Sequence, residues 1–473
     1  KLKGSDIVEK TKKKFKAPDA LVLIFSLLII CSILTYVVPA GEYDRYVDET
    51  TGIEMVDPES YHNVEQSPVS LWQLLMSIPK GMNESAGIIN FLFIIGGAFG
   101  VLQDTGTLDA LINKVVKKLK GRERLIIPFF LVFWGLGGSI LGNFEECLAF
   151  VPMQIMLCLA LGFDSIVGLA LGLCGVCVGY MGAIMNAFTV AIAQQIAGLP
   201  VYSGMGFRLV VWTVLLITAI IYIWNYAGKI KKDPTLSLMY EEDKHSKYRD
   251  QQIDDVDFTR KHIAVLLSFL VGVGVIIYGV IVHGFYITEM GAVFIALTVV
   301  MGLLGGMGLN GTVDSFVKGA HNLLYACICV GFARALTIVM ADGKMLDVIV
   351  HGVTGVLKGL PAIISAPLMF VVQAIINIIM PSGSGQAVVT MPIMVPIADV
   401  LGITRQSAVL AFQMGDGLTN LFTPTGAPLM AGLAIAGISW GKWMKWFAKL
   451  FFAWTVIAII AMMVAVSIGY GPF

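Results

Sequence analysis

Charge is scarce in this chain. Asp, Glu, Lys and Arg together make up 14% of its 473 residues, hydrophobic residues make up 57%, and mean hydropathy is +0.82. That composition excludes a soluble globular protein. The formal net charge is zero, which gives no reason to invoke nucleic acid. Catalytic signatures are missing as well: no GxxxxGK[ST] loop to cradle ATP phosphates, no HExxH, no GxSxG elbow, and an MGDG without the second aspartate of an intramembrane aspartyl protease. These absences argue against an ATP-driven pump and leave an intramembrane enzyme as an outside alternative. No metal site or cofactor is expected. Cysteine is not absent, but Cys31, Cys147, Cys158, Cys174, Cys177, Cys327 and Cys329 all lie inside apolar segments. They read as small hydrophobes rather than disulfide or zinc partners, the Cys174/Cys177 pair included.

What is present is a succession of apolar runs near the roughly 20 residues that span a bilayer, among them DALVLIFSLLIICSILTYVV, LVVWTVLLITAIIYIW and WTVIAIIAMMVAVSIG. Runs of that length mean helices, since barrel strands alternate in shorter segments. The expected fold class is therefore an all-α polytopic membrane protein. The first run follows a lysine-rich segment, residues 1–18, and lacks a cleavage pattern. It reads as a signal anchor with a cytoplasmic N-terminus, and residues 19–84 as the first span and an acidic external arm.

The chain also resembles itself. The segment from Leu141, LGNFEECLAFVPMQIM, and the segment from Pro381, PSGSGQAVVTMPIMVP, begin an alignment without gaps in which Pro152 meets Pro392, Leu161-Gly162 meets Leu401-Gly402, and Tyr180 to Phe188 meets Asn420 to Pro428. Each half carries one helix break after an apolar run and a second about forty residues later, the pattern of a carrier built from repeats. The organisation this implies is a first inverted repeat at 85–227, a polar cytoplasmic linker at 228–260, two connecting spans at 261–309 and a second inverted repeat at 310–473. The basic loop KVVKKLKGRER has a weakly charged counterpart, HGVTGVLKGLP, as opposite orientation of the halves requires.

In lipid, broken backbone is tolerated only where protein or trapped water covers it. The break at MPSGSGQ, residues 380–386, therefore reads as the tip of a re-entrant hairpin offering free amides, hydroxyls and a glutamine. Its repeat partner carries Asn143, Glu145 and Glu146. Adjacent acids in apolar surroundings mark a substrate, ion or proton path, the alternative being a solvated external loop. The second breaks hold Asn186 in one half and Asn420, Thr423 and Thr425 in the other, with Asp416 one turn before Asn420. Asp416 reads either as a site residue or as the partner of Arg334, an arginine well inside an apolar run, whereas Arg208 and Arg405 lie near segment ends and are expected to snorkel to headgroups.

GEYDR after the first span, the hairpin motif NFEE, the run PSGSGQAVVTMPIMVPIADVLGITRQSAVLAFQMGDGLTNLFTPT and the ending SWGKWMKW resemble the YfcC-like bacterial carriers. These belong with the C4-dicarboxylate anaerobic carriers and basic amino acid antiporters of the ion transporter superfamily. The resemblance implies a multi-pass protein of the bacterial inner membrane with two inverted repeats, each with a re-entrant hairpin and an interrupted helix. It implies Ser382, Gly383, Ser384 and Gln386 at the second hairpin tip, Glu145 and Glu146 at the first, and Asp416, Asn420, Thr423 and Thr425 on the second interrupted helix. It also implies a homodimer and an elevator mechanism, in which long unbroken spans such as WTVIAIIAMMVAVSIG form the scaffold. Relatives commonly carry proline where this chain has Ala187, which bears on Asn186 as an ion ligand. With Glu145, Glu146 and Asp416 set against Arg334 alone, charge favours a cationic or zwitterionic amino acid, an arginine/ornithine-type exchange, over a C4-dicarboxylate. The coupling ion, H+ or Na+, is left open.

Overall fold

The computed structural model describes residues 20–47, 54–57, 59–142, 144–186, 188–246, 248, 258–283, 285, 287–354 and 360–471. Asn143, Ala187 and the whole of the N-terminal segment at 1–18 lie outside them. Along the chain, α1 (Ala20–Leu34) leads into a small arm, β1 (Gly41–Glu42), β2 (Arg45–Val47), β3 (Glu54–Val56) and β4 (His62–Asn63), in which β1 pairs antiparallel with β4 and β2 with β3. Then follow α2 (Leu71–Glu84), α3 (Ala86–Asp104), α4 (Thr107–Lys118), α5 (Ile126–Leu136), α6 (Val151–Ala160), α7 (Ser165–Gly182), α8 (Val190–Ile196) and α9 (Met205–Lys232). After α10 (Tyr240–Lys244) come α11 (Arg260–His283), α12 (Ile287–Leu304), α13 (Gly308–His321), α14 (Leu324–Asp342) and α15 (Leu346–Thr354). The chain ends with α16 (Ala362–Ile379), α17 (Gly383–Val400), α18 (Arg405–Thr419), α19 (Ala427–Ala436) and α20 (Trp440–Ser467). Among the described residues, 8 helices are long and apolar enough to cross a membrane.

The element order from α2 to α9 recurs from α13 to α20. α2 and α13 have 14 residues each, α3 and α14 have 19, and α9 and α20 have 28. The innermost helices are α7, apolar on every side and buried along all 18 residues, and α18, buried from Gln406 to Thr419. They cross almost backbone to backbone: a Cβ on Gly417 would come within 2.6 Å of the Met181 nitrogen, and the Cys177 thiol donates to the Gly417 carbonyl at 3.0 Å. Local caps start these helices where the sequence supplies them. Asp164 accepts from the Val167 amide before α7, and Thr404 from the Ser407 amide before α18.

Helices α5–α9 and α16–α20 pack mainly on one another, and α1–α3 with α11–α14 pack mainly on one another. A separate apolar cluster holding Phe91, Phe99, Val265, Phe269 and Phe294 joins α3, α11 and α12. The two groups touch chiefly through α14 and α19. WTVIAIIAMMVAVSIG, the C-terminal part of α20, lies in the first of these groups. α20 packs against α9, α16 and α18, and its indoles donate to the second break itself, Trp440 to the Phe422 carbonyl at 3.1 Å and Trp443 to that of Leu421 at 2.9 Å. A buried indole N–H without a partner is costly, and the freed carbonyls of the break provide partners for these two.

Candidate functional site

At the second hairpin the chain leaves the helix only briefly. The sequence suggested a break through Gln386, but α17 already begins at Gly383, because Ser382 caps it, its Oγ accepting from the Gly385 amide at 3.3 Å. Pro381 has no N–H to lose there. The first amides of α17 are therefore the orphan donors of a helix N-terminus. Gln386 points away from the tip. Its Nε2 donates to the Gln373 backbone oxygen at 2.9 Å and side-chain oxygen at 2.6 Å, while Thr390 donates to the same side chain, so this polar cluster joins α16 to α17.

The first hairpin reverses differently. α5 widens into a π-type turn, the Gly142 amide reaching the Gly137 carbonyl at 3.1 Å, and Gly142 takes the left-handed conformation at φ 69. This turn is stitched to the end of α7. The Asn186 side-chain Nδ2 donates to the Gly138 carbonyl at 2.9 Å, the Ile184 backbone amide to the Ser139 hydroxyl at 2.9 Å, and the Tyr180 hydroxyl to the Gly142 carbonyl at 2.6 Å. Asn186 also accepts from the Phe188 and Thr189 amides, so its side chain is wholly engaged with backbone.

Two residues that sequence reasoning missed hold the breaks. Asn377, the asparagine in QAIINII, donates to the Asp416 carbonyl at 2.9 Å, to the Thr419 hydroxyl at 2.8 Å and to the Asn420 side chain at 2.9 Å. Its isolation in an apolar run was the available signal. Arg208 is 1% exposed and does not snorkel, correcting the expectation for it. Its guanidinium donates to the carbonyls of Ala183 and Ile184 and to the Tyr470 hydroxyl. Arg405 does stay half-exposed, paired with Asp399 at 2.8 Å. At the second break Thr423 and Thr425 share a hydrogen bond of 2.6 Å and both reach the Ile378 carbonyl.

Both tips and both breaks meet around one cavity of about 270 Å³. From the second half it is lined by Ser382, Gly383, Ser384, Asn420 and Thr425, and from the first by Glu145, with Tyr180 and Thr189 beside it. Gly426, Ala427 and Pro428 bring the N-terminus of α19 to the same wall, so two helix N-termini face this space. α14 closes the remaining side with Ala333, Thr337 and Arg334. Arg334 is not the partner of Asp416. Its Nε donates to Glu84 at 2.8 Å, both groups remaining 42% and 46% exposed, because α14 packs on α2 rather than on α18.

The cavity does not take in Glu146, Asn186, Gln386, Asp416 or Thr423. Asp416 stands one layer behind the tip: a Cβ on Gly383 would lie 3.4 Å from its Oδ2, and both carboxylate oxygens are buried without a well-formed hydrogen bond, Asn420 being the polar neighbour. One Glu146 oxygen, Oε2, is likewise buried without a partner. No group of three or more His, Cys, Asp or Glu that could hold a metal occurs among the described residues.

Broken helices and hairpin tips converging on a small polar chamber inside a many-span helical body define a membrane transporter, a carrier and not an enzyme. Residues 17–467 match the family described as the C4-dicarboxylate anaerobic carrier, DcuC, and the chain belongs to that family. It is 33% identical, over an alignment of 498 residues covering 98% of each chain, to YfcC of Escherichia coli (strain K12), a protein named as a candidate basic amino acid antiporter. It is 29% identical over 503 residues to an uncharacterised protein of Haemophilus influenzae, covering 97% of this chain and 99% of that one. Among solved structures, the YdaH transporter of Alcanivorax borkumensis overlays at a TM-score of 0.42 and 16% identity, covering 96% of this chain and all of that one. MtrF of Neisseria gonorrhoeae overlays at 0.42 and 17%, covering 96% and 97%. At that score neither overlay carries an argument.

Proposed function

We propose that this transporter is a secondary carrier of the bacterial inner membrane that moves an amino acid, with a basic amino acid as its substrate class and exchange as its mode. The observation that carries the reading is the bipolar lining of the cavity. Glu145 supplies a carboxylate, and Arg334 with the N-termini of α17 and α19 supplies positive potential, so one wall suits an ammonium group and another a carboxylate. The name of the YfcC relative points to the same substrate class. Calorimetry on purified protein tests it, with arginine and ornithine set against fumarate and succinate. A protein that binds fumarate and ignores arginine ends the reading.

A C4-dicarboxylate is the second reading. Two helix N-termini and an arginine at one small chamber can hold two carboxylates, and the family description names that substrate. Under it, Glu145 must be protonated or turned aside, which couples anion binding to protons.

The mechanism in this proposal is an elevator. The recurrence of element order and length from α2–α9 to α13–α20, with the sequence alignment, supports two inverted repeats. The division of packing supports a moving body of α5–α9 and α16–α20 against a scaffold of α1–α3 and α11–α14, with α4 and α15 as the connecting arms. A homodimer joined through the scaffold belongs to the same reading, by family likeness. H+ or Na+ remains the coupling ion to be identified, with Asp416 and Glu146, set behind the cavity wall, as the groups to examine.

A further inference from the structure

KVVKKLKGRER, the basic loop that served above to orient the chain, has a second property that only the fold shows. Between this loop and the end of α9 lies a pocket of about 570 Å³, whose charged lining is Arg122, Arg124, Lys231 and Lys232 against the single carboxylate Glu123. Lys231 is bound to Glu123 at 2.8 Å, which leaves Arg122, Arg124 and Lys232 without a carboxylate partner among the described residues. The pocket is shaped, not merely charged. Arg124 lies over the Trp224 ring at 5.1 Å, and it can do so because position 228 is glycine: a Cβ there would meet its Nη1 at 2.8 Å. Glu123 also accepts from the Gly121 amide at 2.9 Å, holding the loop in place.

A second pocket of about 330 Å³ meets the first at Leu125, which lines both. Its lining is wholly apolar and comes from three helices: Ile112 and Val115 on α4, Phe129 and Phe130 on α5, Met153 and Leu157 on α6. A basic cup with a tryptophan in its wall therefore adjoins, at Leu125, an apolar groove between α4, α5 and α6, of which α5 belongs to a segment long and apolar enough to span the bilayer. A soluble anion fills the cup and leaves the groove empty; a neutral lipid fills the groove and leaves three cations unpaired. We propose that the composite site binds an anionic phospholipid, its phosphate in the Arg122/Arg124/Lys232 cup and an acyl chain between α4 and α5, in the leaflet that the positive-inside rule places on the cytoplasmic side. The groove separates the connecting arm α4 from the first hairpin, so the bound chain sits where those two elements meet.

Native mass spectrometry of delipidated protein, titrated with phosphatidylglycerol or with phosphatidylcholine of the same acyl chains, tests the proposal. Each basic residue at an anionic headgroup contributes a factor of about five in affinity, so Arg122→Gln/Arg124→Gln/Lys232→Gln should lose phosphatidylglycerol roughly a hundredfold while keeping its melting temperature. Lys232→Gln alone, fully on the surface, should lose about fivefold. Val115→Trp, which fills the groove and leaves the cup untouched, should weaken phosphatidylglycerol too. Glycerol 3-phosphate and inorganic phosphate at equal concentration should not compete. Equal phosphatidylglycerol binding by wild type and triple variant overturns the site, equal binding of the two lipids overturns its charge selectivity, and displacement by glycerol 3-phosphate makes it a soluble-anion site instead.

Discussion

The Arg208 guanidinium on α9 donates to the Ala183 carbonyl at 3.1 Å, just where α7 ends in a left-handed residue of φ 35. With a second bond to the Ile184 carbonyl at 3.2 Å it satisfies two of the backbone oxygens that the first break frees, Gln413 taking those of Met181 and Gly182, and it places a buried cation at a helix C-terminus, where the dipole favours one. Tyr470 extends the tie: its hydroxyl accepts from Arg208 and donates to the Gly204 carbonyl, and its backbone oxygen accepts from Thr404, the cap of α18.

Arg208→Met, similar in reach but without donors, should therefore destabilise the protein by about 2–6 kcal/mol, since two buried carbonyls lose their partners at about 1–3 kcal/mol each. Arg208→Lys, a single point charge that cannot serve both carbonyls at once, should fall between. Thermal melting in detergent measures both. A melting temperature unchanged in Arg208→Met sinks the assignment.

Asn377→Leu should act on the second break in the same way but with a different readout. Removing its amide releases the Asp416 carbonyl, the Thr419 hydroxyl and the Asn420 side chain together, so substrate binding should fall at least tenfold as the cavity wall at Asn420 loosens. Hydrogen exchange at residues 417–423 should rise in parallel. Protection equal to that of wild type would leave Asn377 a bystander.

Much of this site was legible in the sequence, and the limits have physical causes. Helix breaks announce themselves locally through Pro381, Gly383 and Pro424, and the two tips that the alignment sets in register both line the cavity, one through Glu145 and the other through Ser384. Partners of single charges do not announce themselves: Arg334 and Glu84 are 250 residues apart, and nothing local to either names the other. Arg208 was misread because nearness to a segment end says nothing about which neighbour covers it. The placement of α20 was hidden because a lipid-facing span and a packed one share one composition, although the buried Trp443, Trp446, Phe447, Leu450 and Trp454 recur at helical spacing along a single face.

Among the three acids Glu145, Glu146 and Asp416, Glu145 is the one that lines the cavity. Because Glu145 lines the cavity whereas Glu146 and Asp416 lie behind its wall, Glu145→Gln should weaken arginine or ornithine binding by about ten- to a hundredfold, the loss of one hydrogen bond to a charged group of about 1.5–3 kcal/mol. Glu146→Gln and Asp416→Asn should alter coupling more than affinity. A dicarboxylate carrier shows the reverse sign, Glu145→Gln leaving fumarate binding unchanged or tighter and Arg334→Gln abolishing it. Calorimetry with both ligand classes on all four variants separates the readings.

Movement of one helix group against the other can be tested by locking it. Ala333 on α14 and Ala427 at the start of α19 face the same cavity from the two groups, so cysteines there, joined by a short bifunctional maleimide in a cysteine-free background, should stop transport. A control pair lies inside one group: the Tyr222 hydroxyl donates to the Trp446 carbonyl and their rings stand 5.2 Å apart, tying α9 to α20. Cysteines at those two positions, once crosslinked, should leave transport intact, because the elements they join travel together. Equal inhibition by both crosslinks removes the elevator from the proposal, for then no division into a fixed and a moving group accounts for the data.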